Sequence, residues 1–147
     1  MTFHNPSDAA IAAILRHSRS IALVGASANP ARPSAGVLRW LLARGYAVTA
    51  VNPGLEGPLF GAPVVARLEA LEAPVDMVDV FRNSAAAGAV VDEVLALPWR
   101  PKAIWMQLGV HNPEAAAQAE AAGITVVMDR CPVIEAGRLP DATPQGS

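Results

Sequence analysis

Between an apolar run that ends at Val24 and a helix-spaced apolar stretch that begins at Val37, the chain reads Gly25-Ala26-Ser27-Ala28-Asn29-Pro30-Ala31-Arg32-Pro33-Ser34-Ala35-Gly36. Small residues here let backbone approach a phosphate, and the helix that follows offers amide donors at its positive end. Ser27 and Ser34 add hydroxyl donors. Arg32 supplies a planar fork suited to paired, charge-assisted bonds with phosphate oxygens. A plain strand-to-helix connection is the bland alternative. The length of the segment and its arginine favour an anion site.

The segment lacks the Gly-x-Gly-x-x-Gly dinucleotide fingerprint and the Gly-Lys-Ser/Thr ending of a P-loop. A domain built for NAD favours an acid after its second strand, to bind ribose hydroxyls. This chain has Val51-Asn52-Pro53-Gly54 there, which does not repel a 2′- or 3′-phosphate. The pattern points to a phosphorylated nucleotide other than NAD. Phe81 and Arg82 close a later apolar run, where they serve either as a ligand wall and second anion contact or as a core residue and a solvated charge. Gln107 and Gly109 follow the next run, as ligand-facing groups or as an ordinary turn. Cys131 sits beside Arg130, where a cation favours thiolate, yet lone intracellular cysteines mostly pack. His4, His17 and His111 are too scattered for a metal cluster; His111 is an acid–base candidate or a residue preceding a helix.

These groups need a scaffold that gathers them. Asn5-Pro6-Ser7-Asp8 starts a helix with Ile11, Ile14 and Leu15 on one stripe. Strands are expected over 20–24, 46–51, 75–81, 102–106 and 124–128. Helices capped by Ser34, Ser84 and Asn112 separate them, and Gly45 and Gly123 end two of these helices. Residues 55–74 read as an irregular loop with one short helix near 67–71. Strands alternating with helices imply an α/β, Rossmann-like doubly wound domain with a mainly parallel five-stranded sheet. A single domain spans 1–136, and the polar stretch 137–147 reads as a loose tail. In such a fold the strand ends, and therefore the residues above, converge on one edge.

Composition agrees. Hydrophobic residues are 52% and charged residues 16% of the 147 positions, with a net charge of −2. That suits a globular core and argues against a broad basic surface for nucleic acid. No apolar run is long enough to cross a bilayer, and the first residues lack a signal-peptide layout. One cysteine excludes an internal disulfide and fits a reducing, cytoplasmic setting. Apolar residues on surface helices would suit a homodimer, although an ordinary core accounts for them too.

Gly25-Ala26-Ser27 with Pro30 and Arg32-Pro33-Ser34, then Gly45-Tyr46, Val51-Asn52-Pro53, Val75 to Arg82, Trp105 to Gly109, Ala121-Ala122-Gly123 and Val127 to Pro132 together resemble the small stand-alone CoA-binding proteins. That family is similar to the N-terminal CoA-binding domain of the succinyl-CoA synthetase alpha subunit. The resemblance covers roughly Ser7 to Glu135 and rests on several ordered motifs. It implies coenzyme A or an acyl-CoA as ligand. Gly25, Ala26, Ser27, Arg32 and Ser34 would hold phosphates, and Val51, Asn52 and Pro53 would flank the adenosine. Phe81 and Arg82 would line the next wall, Gln107 and Gly109 would approach the pantetheine arm, and Cys131 would be a thiol contact. Many members carry a lysine after the Asn-Pro pair; Gly54-Leu55 stands there in this chain. A CoA ligase also needs a phosphate-carrying histidine on a second domain and a nucleotide-binding partner, for which the chain has no room. The expected function is therefore a non-catalytic CoA-binding module, such as a sensor or regulator. The alternatives are a component of a CoA-thioester ligase or transferase that needs a partner, and an NAD(P)-linked oxidoreductase.

Overall fold

A computed structural model of the chain describes residues 3–142. In order along the chain these form α1 (Asp8–His17), β1 (Ser20–Val24), α2 (Pro33–Ala43), β2 (Ala47–Val51), β3 (Val64–Val65), a 3-10 turn (Leu68–Ala70), β4 (Met77–Val80), α3 (Ser84–Ala96), β5 (Ala103–Met106), α4 (Pro113–Ala121), β6 (Thr125–Val127) and α5 (Pro132–Arg138). The strands make one parallel sheet in the order β3-β2-β1-β4-β5-β6. It has six strands rather than the expected five. The extra strand, β3, pairs only Val64 and Val65 with Ala50 and Val51. Two residues are too few to show a strand period in sequence.

Alternation along each strand divides the core in two. Ile21 and Leu23 of β1 face α1, α2 and α5, packing with Leu15, Leu38 and Leu41. Ala22 and Val24 point the other way, toward Val90, Val91 and Val94 of α3 and Ala115 and Ala119 of α4. Strand order reverses at β1, which has β2 on one side and β4 on the other. That switch point opens a crevice at the carboxyl ends of the strands.

Helix starts differ from expectation in two places. Ser34 lies inside the first turn of α2, and the N-cap position belongs to Arg32, with Pro33 opening the helix and no side-chain cap bond. Asn83 rather than Ser84 caps α3, accepting from Ala86 N at 2.8 Å. Asn112 caps α4 as expected, accepting from Ala115 N at 3.0 Å. The end of the described chain also departs from a loose tail. Residues 132–138 are helical, and Leu139 and Ala142 are buried in the core. Arg138 reaches back to both oxygens of Asp8, at 2.8 and 2.9 Å, and to Glu135 at 2.8 Å. The Asp8 contact is distant in sequence, so the local polar pattern hides it. Residues 143–147 of that expected tail lie outside the described residues.

Candidate functional site

The crevice is built from backbone first. Gly25 leaves β1 at φ +91°, and its amide donates to Val51 O at 3.0 Å. A Cβ on this residue would stand 2.2 Å from the Phe81 carbonyl oxygen. Only glycine lets the first loop depart between β2 and β4. The loop is then held by its own polar residues: Ser27 Oγ accepts from Asn29 N at 3.1 Å, and Asn29 Oδ1 accepts from Ala31 N at 3.0 Å. Its far end delivers the exposed Arg32 and the uncapped first turn of α2 to the crevice mouth.

Asn52 ties the second strand to this loop. Its Nδ2 donates to Ala26 O at 2.7 Å, and its Oδ1 accepts from Gly54 N at 2.9 Å. Both ends of the amide are therefore engaged within the protein, and its contribution is to hold the walls. On the opposite side, Ser84 Oγ donates to Gly109 O at 3.2 Å and accepts from His111 N at 2.8 Å. Gly109 N in turn donates to Asp129 Oδ1 at 2.7 Å. Asp129 makes this bond from φ +56°, a left-handed conformation that aspartate tolerates better than most residues. The loops after β4, β5 and β6 are thereby bonded to one another.

Two adjoining hollows of about 680 and 690 Å³ result, and they share Gly25, Asn52, Phe81 and Arg82. The first also takes in Ala26, Ser27, Arg32, Ser34, Gln107, Gly109 and Cys131. The second takes in Val51 and Pro53. Every residue expected to contact the ligand thus lines one or both of these hollows. The structure adds Val37, Leu55 and Leu108 to the first hollow, and Arg67 and Glu93 to the second. Arg67 escaped sequence reading because it lies in the irregular stretch before the 3-10 turn, with no motif to mark it. His111 does not line the cleft; the structure uses its backbone amide.

Cys131 is 8% exposed and lines the first hollow. Its neighbour Arg130 donates to the Asp129 carbonyl at 2.9 Å and stands 3.8 Å from Glu135, while Trp105 Nε1 donates to Arg130 O at 2.9 Å. Asp79, on β4 below the cleft, is fully buried, and burial pushes its carboxyl well above the ordinary carboxylate range. Its side-chain neighbour is Gln107, whose amide lies 3.0 and 3.3 Å from the two Asp79 oxygens. No group of His, Cys, Asp and Glu among the described residues is arranged to hold a metal ion. No described helix is long and apolar enough to cross a membrane.

A doubly wound sheet with a phosphate-sized loop at its switch point defines a class of nucleotide-binding domain, and sequence comparison narrows it. The chain belongs to the CoA binding domain family, whose model matches residues 19–137. It is 38% identical over 127 residues to the uncharacterized protein YneT of Bacillus subtilis (strain 168), covering 86% of this chain and 92% of that one. A solved structure from Thermus thermophilus, cell-free ID.343, is 43% identical, superposes with a TM-score of 0.85, and covers 91% of this chain and 99% of its own. Acetyl-coenzyme A synthetase 1 of Ca. Korarchaeum cryptofilum shares the fold, with a TM-score of 0.67 at 22% identity. The overlap there spans 81% of this chain and 27% of the synthetase.

Proposed function

We propose that this chain is a binding module for coenzyme A or an acyl-CoA that does no chemistry by itself and serves as a sensor, carrier or regulator of acyl-CoA metabolism in the cytoplasm. The observation that carries this reading is that two hollows adjoin through Gly25, Asn52, Phe81 and Arg82, Arg67 and Pro53 lining one and Gln107 and Cys131 the other. Coenzyme A is long and has one strongly anionic end, and two adjoining hollows that both carry arginine suit such a ligand. Arg32, Ser27 and Ser34 take the pyrophosphate, Val51 and Pro53 flank the adenosine, and Arg82 lies where the two hollows meet. Phe81 lines the wall between them, and the pantetheine arm runs past Gly109 and Gln107 toward Cys131. Family membership supports the same ligand.

Native mass spectrometry of the protein with CoA, acetyl-CoA, NAD and NADP in parallel tests the reading. A selective one-to-one complex with CoA or acetyl-CoA is expected. Selective binding of NAD or NADP overturns it in favour of an oxidoreductase.

A further inference from the structure

Coenzyme A carries two anionic groups, a pyrophosphate and a monophosphate on the ribose of its adenosine, and Arg32, Ser27 and Ser34 account for only the first. The segment after β2, Asn52-Pro53-Gly54-Leu55, contains no cation, and both ends of the Asn52 amide are already bonded within the protein. Cations reach the second hollow from its flanks instead, Arg67 from beyond β3 and Arg82 from the end of β4. Arg82 also lines the first hollow, and its Cδ lies 3.1 Å from where a Cβ on Gly25 would stand, so it belongs to the junction. Arg67 lines only the second hollow. Backbone sets its place: Val65 pairs with Val51, and Asn52 N donates to Val65 O at 3.0 Å, so the chain leaving β3 runs beside Asn52 and Pro53. Arg67 Nη1 donates to Glu69 Oε1 at 3.1 Å, with the two side chains 65% and 70% exposed. Such an exposed pair is weak, and a guanidinium has five donors, so others are left for an anion. Glu93 of α3 is the one acid among the lining residues, and the two arginines outnumber it.

We propose that Arg67 binds the ribose monophosphate of coenzyme A, so that the second hollow selects a nucleotide carrying that group over one that lacks it. The inference rests on the CoA reading above and deepens it by naming the residue that reads the phosphorylated ribose. A monophosphate accepts paired, charge-assisted bonds from an arginine fork, and its greater charge lets it compete with the Glu69 carboxylate. A ligand without the monophosphate leaves Arg67 on Glu69 and forgoes the contact. Its pyrophosphate still meets Arg32, which lies on a different element. The two anionic groups are therefore read separately, one at the start of α2 and one beyond the edge strand β3.

Calorimetric titration of the full chain with CoA and with 3′-dephospho-CoA reads the preference directly. Wild type should bind CoA about tenfold more tightly, the low end for a charge-assisted contact because Arg67 is exposed. Arg67→Ala should bring the ratio close to one by weakening CoA alone, with the affinity for dephospho-CoA kept within about twofold. Its exposed side chain makes no contact that the core needs, so the variant should keep the wild-type thermal midpoint. Arg32→Ala should instead weaken both ligands together and preserve the ratio, since both carry the pyrophosphate. An unchanged ratio in Arg67→Ala hands the monophosphate to another group, and an equal loss for both ligands makes Arg67 structural; either overturns the proposal. Wild type binding both ligands equally also overturns it while leaving the CoA reading intact. Binding of neither ligand overturns both.

Discussion

At single residues, the site depends on groups whose chemistry is fixed by what surrounds them. Gly25 combines a positive φ with a carbonyl oxygen where a Cβ would go. Gly25→Ala should therefore lower unfolding stability by about 2–4 kcal/mol in urea titrations, since strain and a backbone clash act together. A loss below about 0.5 kcal/mol, the range of ordinary surface changes, would show that the loop moves aside freely. Arg32 presents the opposite case, exposed and making no side-chain bond that the fold needs. Arg32→Ala should weaken CoA binding by about 1.5–3 kcal/mol, the value of a charge-assisted contact, while the thermal midpoint stays put. Unchanged calorimetric affinity removes Arg32 from the site. Asp79 makes a third prediction, one of sign. Its carboxyl is raised in the folded chain by desolvation, with no charged side chain contributing. The folded state thus holds a proton that the unfolded state gives up near the ordinary aspartate value. That contribution to stability is complete below the unfolded value and is lost as pH rises through the folded one. Asp79→Asn should gain on wild type as pH rises from 5 to 8, read as a widening gap between urea midpoints. A constant gap across that range would mean the carboxyl is not raised.

At the scale of elements, what was legible in sequence is what repeats locally. The five longer strands and the helices between them follow apolar runs and helical spacing, and their bounds moved by no more than two residues. The residues at the strand ends could be selected because the doubly wound rule sends every strand end to one edge. What stayed hidden depended on distant partners. Val64 and Val65 become a strand only because Ala50 and Val51 lie alongside. Ser84 looked like a cap, but Asn83 precedes it and takes that role, which frees Ser84 Oγ to bond the β5 exit loop. α5 is the clearest case, since its anchors are Asp8, far back in the chain, and a core that accepts Leu139 and Ala142. Leu139→Ala tests whether this last element is part of the fold. A buried leucine truncated to alanine costs about 2–5 kcal/mol, with less where the site can collapse. A residue in a loose tail would cost nothing measurable by the same denaturation.

Taken whole, the molecule brings a basic loop and its cysteine to one hollow, and that juxtaposition has a kinetic consequence. Cys131 is nearly closed to solvent yet lines the hollow that Arg32 also lines. A disulfide reagent that docks its nucleotide in the cleft holds its sulfur near Cys131 as a bound neighbour, at an effective concentration above that in solution. With CoA disulfide, the Cys131 thiolate attacks one sulfur, the mixed disulfide forms, and one CoA leaves as its thiolate. Pantethine offers the same disulfide without the nucleotide, so it lacks the phosphates that the proposed function assigns to Arg32. At equal concentration, CoA disulfide should therefore label the protein much faster than pantethine in intact-mass time courses. Arg32→Ala should narrow that difference, and Cys131→Ser should abolish labelling by both. Equal rates for the two disulfides in wild type would mean that the nucleotide does not direct the thiol. The phosphate loop and the cysteine would then be unrelated features of the same cleft.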